Sequence, residues 1–208
     1  MGTNSDIDLE RFAAVSTGTL GHFRTDGFMD VAIQSLFRPV HVLGRALTVS
    51  CQPTDNAPVG EALAGARAGD VLVIDRQGDR RHACWGGILS RGAQAQGLAA
   101  VVIDGAATDW REITELGFPV FCRNLSALTT RRLGLAGSVG SPIVCGGVQV
   151  CTGDVILADD DGVVAVPQET AAEILEQAMV REAREERMRQ LLIEGLPLAE
   201  ARKRAADG

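Results

Sequence analysis

Short apolar runs bounded by Gly, Asp and Asn dominate the hydrophobic pattern of this chain, and such runs are typical of buried β-strands. The pattern predicts strands at residues 41–50, 71–75, 99–104, 119–121, 155–158 and 163–166, and helices at 9–23 and 30–36. Segments 69–75 and 153–159 repeat a turn, a strand and an acidic end, which predicts two similar hairpins in one mixed sheet. Because the strands cluster between helices without strict alternation, the pattern favours an α/β fold.

After Pro167 the pattern changes to that of a long amphipathic helix. Ala171, Ile174, Leu175 and Ala178 are spaced to form one apolar stripe, and Gly195 is expected to end the helix. From 181 to 193 opposite charges stand three or four apart, which fits either a solvated face or a subunit contact. We therefore predict one domain over 1–208, with 168–208 as a carboxyl-terminal helical extension.

Composition narrows the classes of function. The 208 residues carry a net charge of −7 and are 46% hydrophobic, enough for one substantial core. No Lys/Arg cluster is interleaved with aromatic residues, so a nucleic-acid partner is not expected. The sequence shows neither a signal-peptide pattern nor an apolar run long enough to span a bilayer, which predicts a cytoplasmic protein without a membrane partner. Five cysteines without a Cys-x-x-Cys pair are expected to be reduced thiols.

A glycine pair in the middle of the chain is the first candidate for binding chemistry. Gly86 and Gly87 lead into a predicted helix, which continues through Ile88 and Leu89. The first N–H groups of a helix have no partner within it, and they attract anions. The backbone of these four residues is therefore predicted to bind a substrate carboxylate.

Two acidic residues follow the next predicted strand. Asp109 and Glu112 stand three apart just after a glycine turn, so a helix would place both on one face. Such a pair can hold a divalent cation directly or through water. Asp109 also fits a helix N-cap, and Glu112 fits the partner position of a capping box, so both alternatives remain open.

The same stretch resembles the RraA-like family. This family includes class II pyruvate aldolases, which act on 4-hydroxy-4-methyl-2-oxoglutarate and 4-carboxy-4-hydroxy-2-oxoadipate, and the RraA regulators of ribonuclease E. Its signature is an acidic residue, a spacer of twenty, Arg-Asp, two residues and a further acid. Here Gly87, Thr108, Asp109 and Glu112 stand in that frame, so two of the four signature residues differ. Further similarity lies in segments 15–17, 53–56, 69–75, 148–154 and 160–164.

The resemblance implies a fold and an assembly. The expected fold is a three-layer β/β/α sandwich of the swivelling-domain type, with a carboxyl-terminal helix. Relatives form trimers and dimers of trimers whose sites lie between subunits, so a homotrimer or homohexamer is expected. The cofactor implied is a divalent metal, Mg or Mn, and the partner is a small carboxylate substrate.

The resemblance also assigns roles within the pocket. Thr108 stands where the aldolases have an arginine that stabilises the enolate oxygen, and a neutral hydroxyl is a weaker substitute. His22 stands where the family often has an aspartate and is a candidate titratable group. Asn56 corresponds to a polar residue of the pocket wall, although Asp55-Asn56 is also a good turn pair. Arg76, Arg80 and Arg81 are expected in a solvated hairpin, with the alternative that one of them reaches inward to replace the missing charge.

Two functions follow as hypotheses. The first is a divergent divalent-metal-dependent lyase of the aldolase or decarboxylase type, or a related enolate-forming enzyme, acting on a small oxo- or hydroxy-carboxylate. In that enzyme Asp109, Thr108 and His22 would be catalytic, and Asp109 with Glu112 would hold the metal. The second is a non-catalytic RraA-like regulator that binds a partner protein.

Overall fold

The central feature of the computed structural model, which describes residues 9–206, is a nine-stranded mixed sheet. Along the sheet the strands follow the order β1-β6-β5-β3-β2-β10-β11, with β4 beside β5 and β7 beside β2, while β8 and β9 form a separate two-stranded sheet. The strands are β1 (Gln34–Ser35), β2 (His41–Cys51), β3 (Asp70–Asp75), β4 (Ala83–Trp85), β5 (Ala100–Ala107), β6 (Val120–Leu125), β7 (Gly137–Val139), β8 (Ile143–Cys145), β9 (Val148–Val150), β10 (Val155–Asp159) and β11 (Gly162–Val166).

The middle of the sheet is parallel. β2 pairs with β3, β3 with β5, and β5 with both β4 and β6, all in parallel. Parallel strands bring their carboxyl ends to the same edge, where open sheets commonly bind ligands. The loops after β4 and β5 therefore meet at one end of the molecule.

The helices are α1 (Thr17–Gly21), α2 (Ala57–Gly65), α3 (Gly87–Ala95), α4 (Trp110–Leu116), α5 (Gln168–Ile193) and α6 (Leu198–Ala206), with a 3-10 turn at Leu9–Phe12. α2, α3 and α4 cover one face of the sheet, where Val59, Ala93 and Ile113 join the core. On the other face Ile143 and Val150 of the small sheet pack onto Val73. These layers give the predicted β/β/α sandwich.

The long helix α5 confirms the prediction for the carboxyl-terminal region. Its first half buries Ala171, Ile174, Leu175 and Ala178, and the chain turns at Gly195 with φ +87°. The second half is largely exposed and carries ion pairs such as Arg189 with Glu186. Over the described residues, no helix is both long enough and apolar enough to cross a bilayer.

The predictions for the two amino-terminal helices are wrong. The predicted helix 9–23 contains only the 3-10 turn and α1. The predicted helix 30–36 is a turn followed by β1, which pairs antiparallel with the distant strand β6. Segment 69–75 does not form the predicted hairpin either, because β3 pairs with β2 and β5, whereas β10 does form a hairpin with β11.

Candidate functional site

The carboxylate of Asp109 links the starts of two helices. Asp109 is the N-cap residue of α4 with a left-handed backbone (φ 56°, ψ 38°), which is uncommon for a residue other than glycine. Its side chain does not cap α4, and Oδ2 instead accepts a hydrogen bond of 3.0 Å from the backbone N–H of Gly87 at the start of α3. A Cβ on Gly86 would lie 2.5 Å from Oδ2, so this approach requires glycine there. Asp109 therefore neutralises part of the positive end of α3.

Glu112 lies over Gly87. Its Oε1 accepts a hydrogen bond of 2.6 Å from Nε of Arg91, one turn further along α3. A Cβ on Gly87 would lie 2.1 Å from Oε2 of Glu112. The carboxylate of Glu112 thus fills the space that a side chain at position 87 would use, and no capping box forms.

A pocket of about 160 Å³ opens beside Asp109. Six of the predicted site residues line it together: Asn56, Gly86, Ile88, Leu89, Thr108 and Asp109. The remaining lining residues are Ala83, Cys84, Trp85, Thr129 and Thr130. Gly87 and Glu112 adjoin the pocket without lining it.

His22 lies elsewhere in the chain. It follows α1, and its Nε2 is 3.5 Å from Oε1 of Glu185 on α5. It is not among the residues that line the pocket. Within one chain the structure therefore does not bring His22 together with Asp109 and Thr108.

The pocket contains both hydrogen-bond donors and acceptors. Among the described residues, no hydrogen bond is formed to the N–H groups of Ile88 and Leu89 at the start of α3, or to the side chain of Asn56. Thr130 donates its hydroxyl to the carbonyl of Ala83. These groups can bind a small anion at one end and neutral oxygen atoms at the other.

Cys84 is an inert part of the pocket lining. Burial raises the pKa of its thiol to about 12, because a thiolate there would lack water, and the nearby Arg76 offsets this only in part. The side chain is 2% exposed. Cys84 is therefore a neutral thiol at neutral pH and not a nucleophile.

Sequence reasoning missed the group that supports the pocket wall. Arg76, expected in a solvated hairpin, is fully buried and donates to the carbonyls of Gln52, Pro53 and Asp55, and to Sγ of Cys51 at 2.7 Å. These carbonyls belong to the loop that ends at Asn56. A buried arginine with so many acceptors fixes the shape of that loop.

Asp55 ties the same loop to a distant segment. Its carboxylate accepts hydrogen bonds from the backbone N–H groups of Ala57 (2.9 Å), Leu133 (2.8 Å) and Leu135 (2.6 Å). Burial pushes the pKa of Asp55 upward, but these N–H donors outweigh it and lower the pKa to about 2. The only sequence signal for this role is the polar pair after β2.

Asp109 is the residue best placed for a divalent cation. Among residues 9–206, its Oδ1 has only a long contact of 3.5 Å with the hydroxyl of Thr108, whereas the carboxylate of Glu112 is paired with Arg91. In the part of the chain that the structure describes, no group of three His, Cys, Asp or Glu side chains is arranged around one point. Magnesium retains several waters and needs only one or two protein carboxylates, so the donor set at Asp109 is compatible with it.

The fold and this pocket together define the class of protein. The sequence model of the RraA-like family, described as Aldolase/RraA, matches residues 13–165, and the chain belongs to that family. A relative named putative 4-hydroxy-4-methyl-2-oxoglutarate aldolase, from Halalkalibacterium halodurans, is 36% identical over 187 residues, which is 88% of each chain.

Two solved structures extend the comparison. A protein from Pseudomonas syringae pv. tomato superposes with a TM-score of 0.80 at 28% identity, over 94% of this chain and 92% of that one. Streptomyces coelicolor RraAS2, described as an unusual member of the RNase ES inhibitor RraA protein family, superposes with a TM-score of 0.76 at 29% identity, over 87% and 95%. The family thus contains proteins named as aldolases and proteins named as ribonuclease inhibitors.

Proposed function

We propose that the protein is a divergent lyase that cleaves or decarboxylates a small oxo- or hydroxy-carboxylate with the help of a divalent metal. The observation that carries this proposal is the left-handed Asp109, whose carboxylate is fixed at the start of α3 and lines the same pocket as Asn56 and Thr108. A strained backbone at a pocket is common where a side chain must be held for function. The names of the aldolase relatives agree with this reaction class.

Each wall of the pocket has a role in the proposed reaction. The free N–H groups of Ile88 and Leu89 bind the substrate carboxylate, and Asn56 and Thr108 donate to its carbonyl or hydroxyl oxygen. Asp109 would hold magnesium or manganese. When bound there, the ion supplies a positive charge that polarises the substrate carbonyl.

The loss of the family arginine sets the expected rate. A threonine hydroxyl is neutral and offers one donor, whereas a guanidinium offers five. Removing one such contact to a developing negative charge costs about 2.7–4 kcal/mol, or a factor of about 10²–10³ in rate. We therefore expect turnover far below that of an aldolase with the full signature.

A coupled pyruvate-release assay tests the proposal. With Mg²⁺ or Mn²⁺ present, the protein should release pyruvate slowly from 4-hydroxy-4-methyl-2-oxoglutarate or oxaloacetate, and Asp109→Asn should reduce the rate toward background. The amide oxygen of Asn can still accept from Gly87, so this change removes charge with little change of shape. Glu115→Gln, at an exposed position on the same helix α4, is the matched control and should leave the rate unchanged. Equal rates for Asp109→Asn and the unaltered protein would refute the proposed role of Asp109.

The second candidate is a regulator without catalytic activity that binds a partner protein. Two observations favour it. Position 108 has no charged side chain and position 87 has no side chain at all. In addition, the apolar side chains of Ile88 and Trp110 are exposed beside the pocket. If the purified protein inhibits a ribonuclease of the RNase E type, and Asp109→Asn inhibits equally well, the regulator is the better description. If the protein does not inhibit the ribonuclease and its release of pyruvate depends on Asp109, the lyase is the better description.

A further inference from the structure

A second groove lies on the face of the sheet that the small sheet β8-β9 covers. Its walls come from the carboxyl ends of β2 and β3, from β7 and from the small sheet, and its volume of about 400 Å³ is in the range of small-molecule sites. Among the described residues, none lines both this groove and the pocket at Asp109. Because α3 and α4 pack on the other face, the groove is separate from the surface where a neighbouring subunit is expected.

Three polar side chains form a row across neighbouring strands in this groove. Ser50 of β2 is the register partner of Asp75 in β3 and also of Ser138 in β7. Residues directly opposite each other in a sheet project from the same face, so the three side chains stand next to one another. Since Ser50 and Asp75 are at the carboxyl ends of two parallel strands, the row lies where open sheets commonly bind ligands.

Asp75 gives the groove its charge. Its Oδ1 accepts a hydrogen bond of 2.7 Å from the backbone N–H of Gln77, and its Oδ2 accepts one of 3.2 Å from the hydroxyl of Ser50. Within residues 9–206 Asp75 has no ion pair, whereas Asp104, its register partner on β5, is paired with Arg123. Among the described residues, Asp75 is also the only charged one that lines the groove. A half-buried carboxylate without a cation favours a positively charged ligand.

The groove also offers neutral acceptors and an apolar wall. Within the part of the chain that the structure describes, the hydroxyl of Ser138 and the amide of Gln149 form no hydrogen bond. An ammonium group has three N–H donors, which the oxygens of Asp75, Ser138 and Gln149 can accept. Beside them, Ile143 and Val144 of β8 present apolar surface for a short carbon chain.

We propose that this groove binds a small primary amine, with the ammonium group on Asp75 and the carbon chain on β8. The ammonium gains charge-assisted hydrogen bonds, which are about twice as strong as neutral ones. The site and its ligand class are independent of the lyase activity proposed for the pocket at Asp109.

Three ligands of similar length test the preference for a positive charge. Butylamine, 1-butanol and butanoate carry a positive, a neutral and a negative head group. Dissociation constants would be measured by ligand-observed NMR at neutral pH and low salt. We expect butylamine to bind at least about tenfold more tightly than butanol, since a hydrogen bond to a charged group contributes that much or more, and butanoate to bind most weakly. Equal binding of butylamine and butanol, or no binding of butylamine, would overturn the proposal.

Removing the carboxylate tests the role of Asp75. Asp75→Asn keeps an oxygen for the N–H of Gln77, so the turn should remain while butylamine affinity falls by about tenfold or more. Asp70→Asn removes the same charge at the opposite end of β3 and should leave the affinity unchanged. An equal loss in both folded variants, checked by circular dichroism, would contradict the proposal, because it would reflect only the net charge of the protein.

A second variant tests the apolar wall without altering the polar row. Val144 is 56% exposed, so Val144→Lys should fold normally, and its ammonium should repel the ligand. We expect butylamine affinity to fall by about threefold or more in Val144→Lys and to be kept in the neutral control Val144→Gln. Equal affinities of the two variants would place the amine away from β8.

Chemical-shift mapping locates the ligand and separates this inference from the proposed function. Butylamine should shift the backbone amide signals of Ser50, Ser138 and Val144, and Asp109→Asn should leave its affinity unchanged. Shifts confined to Ile88 and Asp109 would refute the groove as the site, while the lyase would still be judged by pyruvate release.

One further ligand distinguishes the source of the ammonium group. N-Acetyl-lysine methylamide carries the same group on a peptide unit. Weaker binding of this compound than of butylamine supports a small amine as the ligand. Tighter binding would mean that a lysine of another protein occupies the groove, and the proposed small amine would be wrong.

Discussion

Gly87 is the position where the site depends on the absence of a side chain. Because a Cβ there would lie 2.1 Å from Oε2 of Glu112, Gly87→Ala must displace Glu112 and its ion pair with Arg91. Because the Glu112 side chain is partly exposed and can move, we expect Gly87→Ala to stabilise the protein less than helix propensity alone would give, and Glu112→Ala to restore that gain, with a coupling free energy of about 0.5 kcal/mol. Urea denaturation of both single variants and the double variant measures it.

A second glycine supplies the control for that cycle. Gly60 lies inside α2, where an added Cβ would meet no atom within 4 Å. Gly60→Ala should therefore stabilise the protein by about 0.5–1 kcal/mol through helix propensity alone. If the changes in the free energy of unfolding caused by Gly87→Ala and Glu112→Ala are strictly additive, Glu112 does not occupy the space of a side chain at position 87.

The low pKa of Asp55 should make the free energy of unfolding decrease as the pH falls into the acid range. Its pKa of about 2 in the folded chain lies below the value of about 3.9 for an unfolded aspartate. The ionised form thus contributes stability that is present above pH ~4 and is lost as the pH falls toward ~2. Between those values the urea midpoint of the unaltered protein should fall more steeply than that of Asp55→Asn.

Other carboxyl groups titrate in the same range, so the comparison needs a reference. Asp161→Asn removes an exposed carboxylate and should give a pH curve parallel to that of the unaltered protein. If the Asp55→Asn curve is also parallel, the three backbone N–H donors do not hold the charge of Asp55 as described.

At the residue scale, six of the residues predicted from the sequence line one pocket, and Glu112 and Arg76 have partners that the sequence did not predict. The family frame identified Asp109 and Glu112, but spacing along the chain is the same for a cap, a metal ligand and an ion pair. The partners that decide between these roles, Gly87 and Arg91, lie more than twenty positions earlier in the chain. Arg76 was missed because nothing near it in sequence distinguishes a buried cation from a solvated one.

At the scale of elements, the loop between β2 and α2 depends on one buried cation. Removing the guanidinium of Arg76 would take away the donor to the carbonyls of Pro53 and Asp55, whereas the carbonyl of Gln52 would keep the backbone N–H of Asp55. Arg76→Met should therefore cost about 3 kcal/mol or more in the free energy of unfolding. It should also weaken ligand binding, since the loop carries Asn56.

Arg80→Met is the matched control, because Arg80 follows the same strand and is exposed. Exposed substitutions of this kind usually change stability by less than about 0.5 kcal/mol. Urea denaturation of both variants makes the comparison. A similar small effect for both changes would mean that other contacts hold the loop.

Periodicity predicted the elements whose burial follows a regular pattern along the chain. The strand 41–50 matches β2, and the helix after Pro167 ends where Gly195 indicated. The predicted helix 30–36 fails because Gln34 pairs with Cys122 of β6, a contact made across 88 positions. Pairing between distant segments overrides local preference, and one sequence pattern cannot reveal it.

At the scale of the whole molecule, the pocket lies among exposed apolar side chains. Ile88 is 78% exposed, Trp110 51% and Leu125 49%, all near Asp109. Clustered apolar exposure of this kind is typical of a surface that another protein covers. The resemblance to the RraA-like family implies a site between subunits, and in such an assembly a second chain would supply further ligands at Asp109.

We therefore expect a trimer or hexamer with Asp109 near a subunit boundary. Ile88→Glu places a charge in the covered surface, so it should shift the assembly toward monomer and lower ligand affinity together, because buried charge without a partner opposes association. Val31→Glu, at a position that is 83% exposed and outside the pocket lining, should leave both unchanged. Size-exclusion chromatography with light scattering at micromolar concentration measures the assembly. A monomeric unaltered protein would contradict the prediction, and an Ile88→Glu variant that keeps the full assembly would place the boundary away from the pocket.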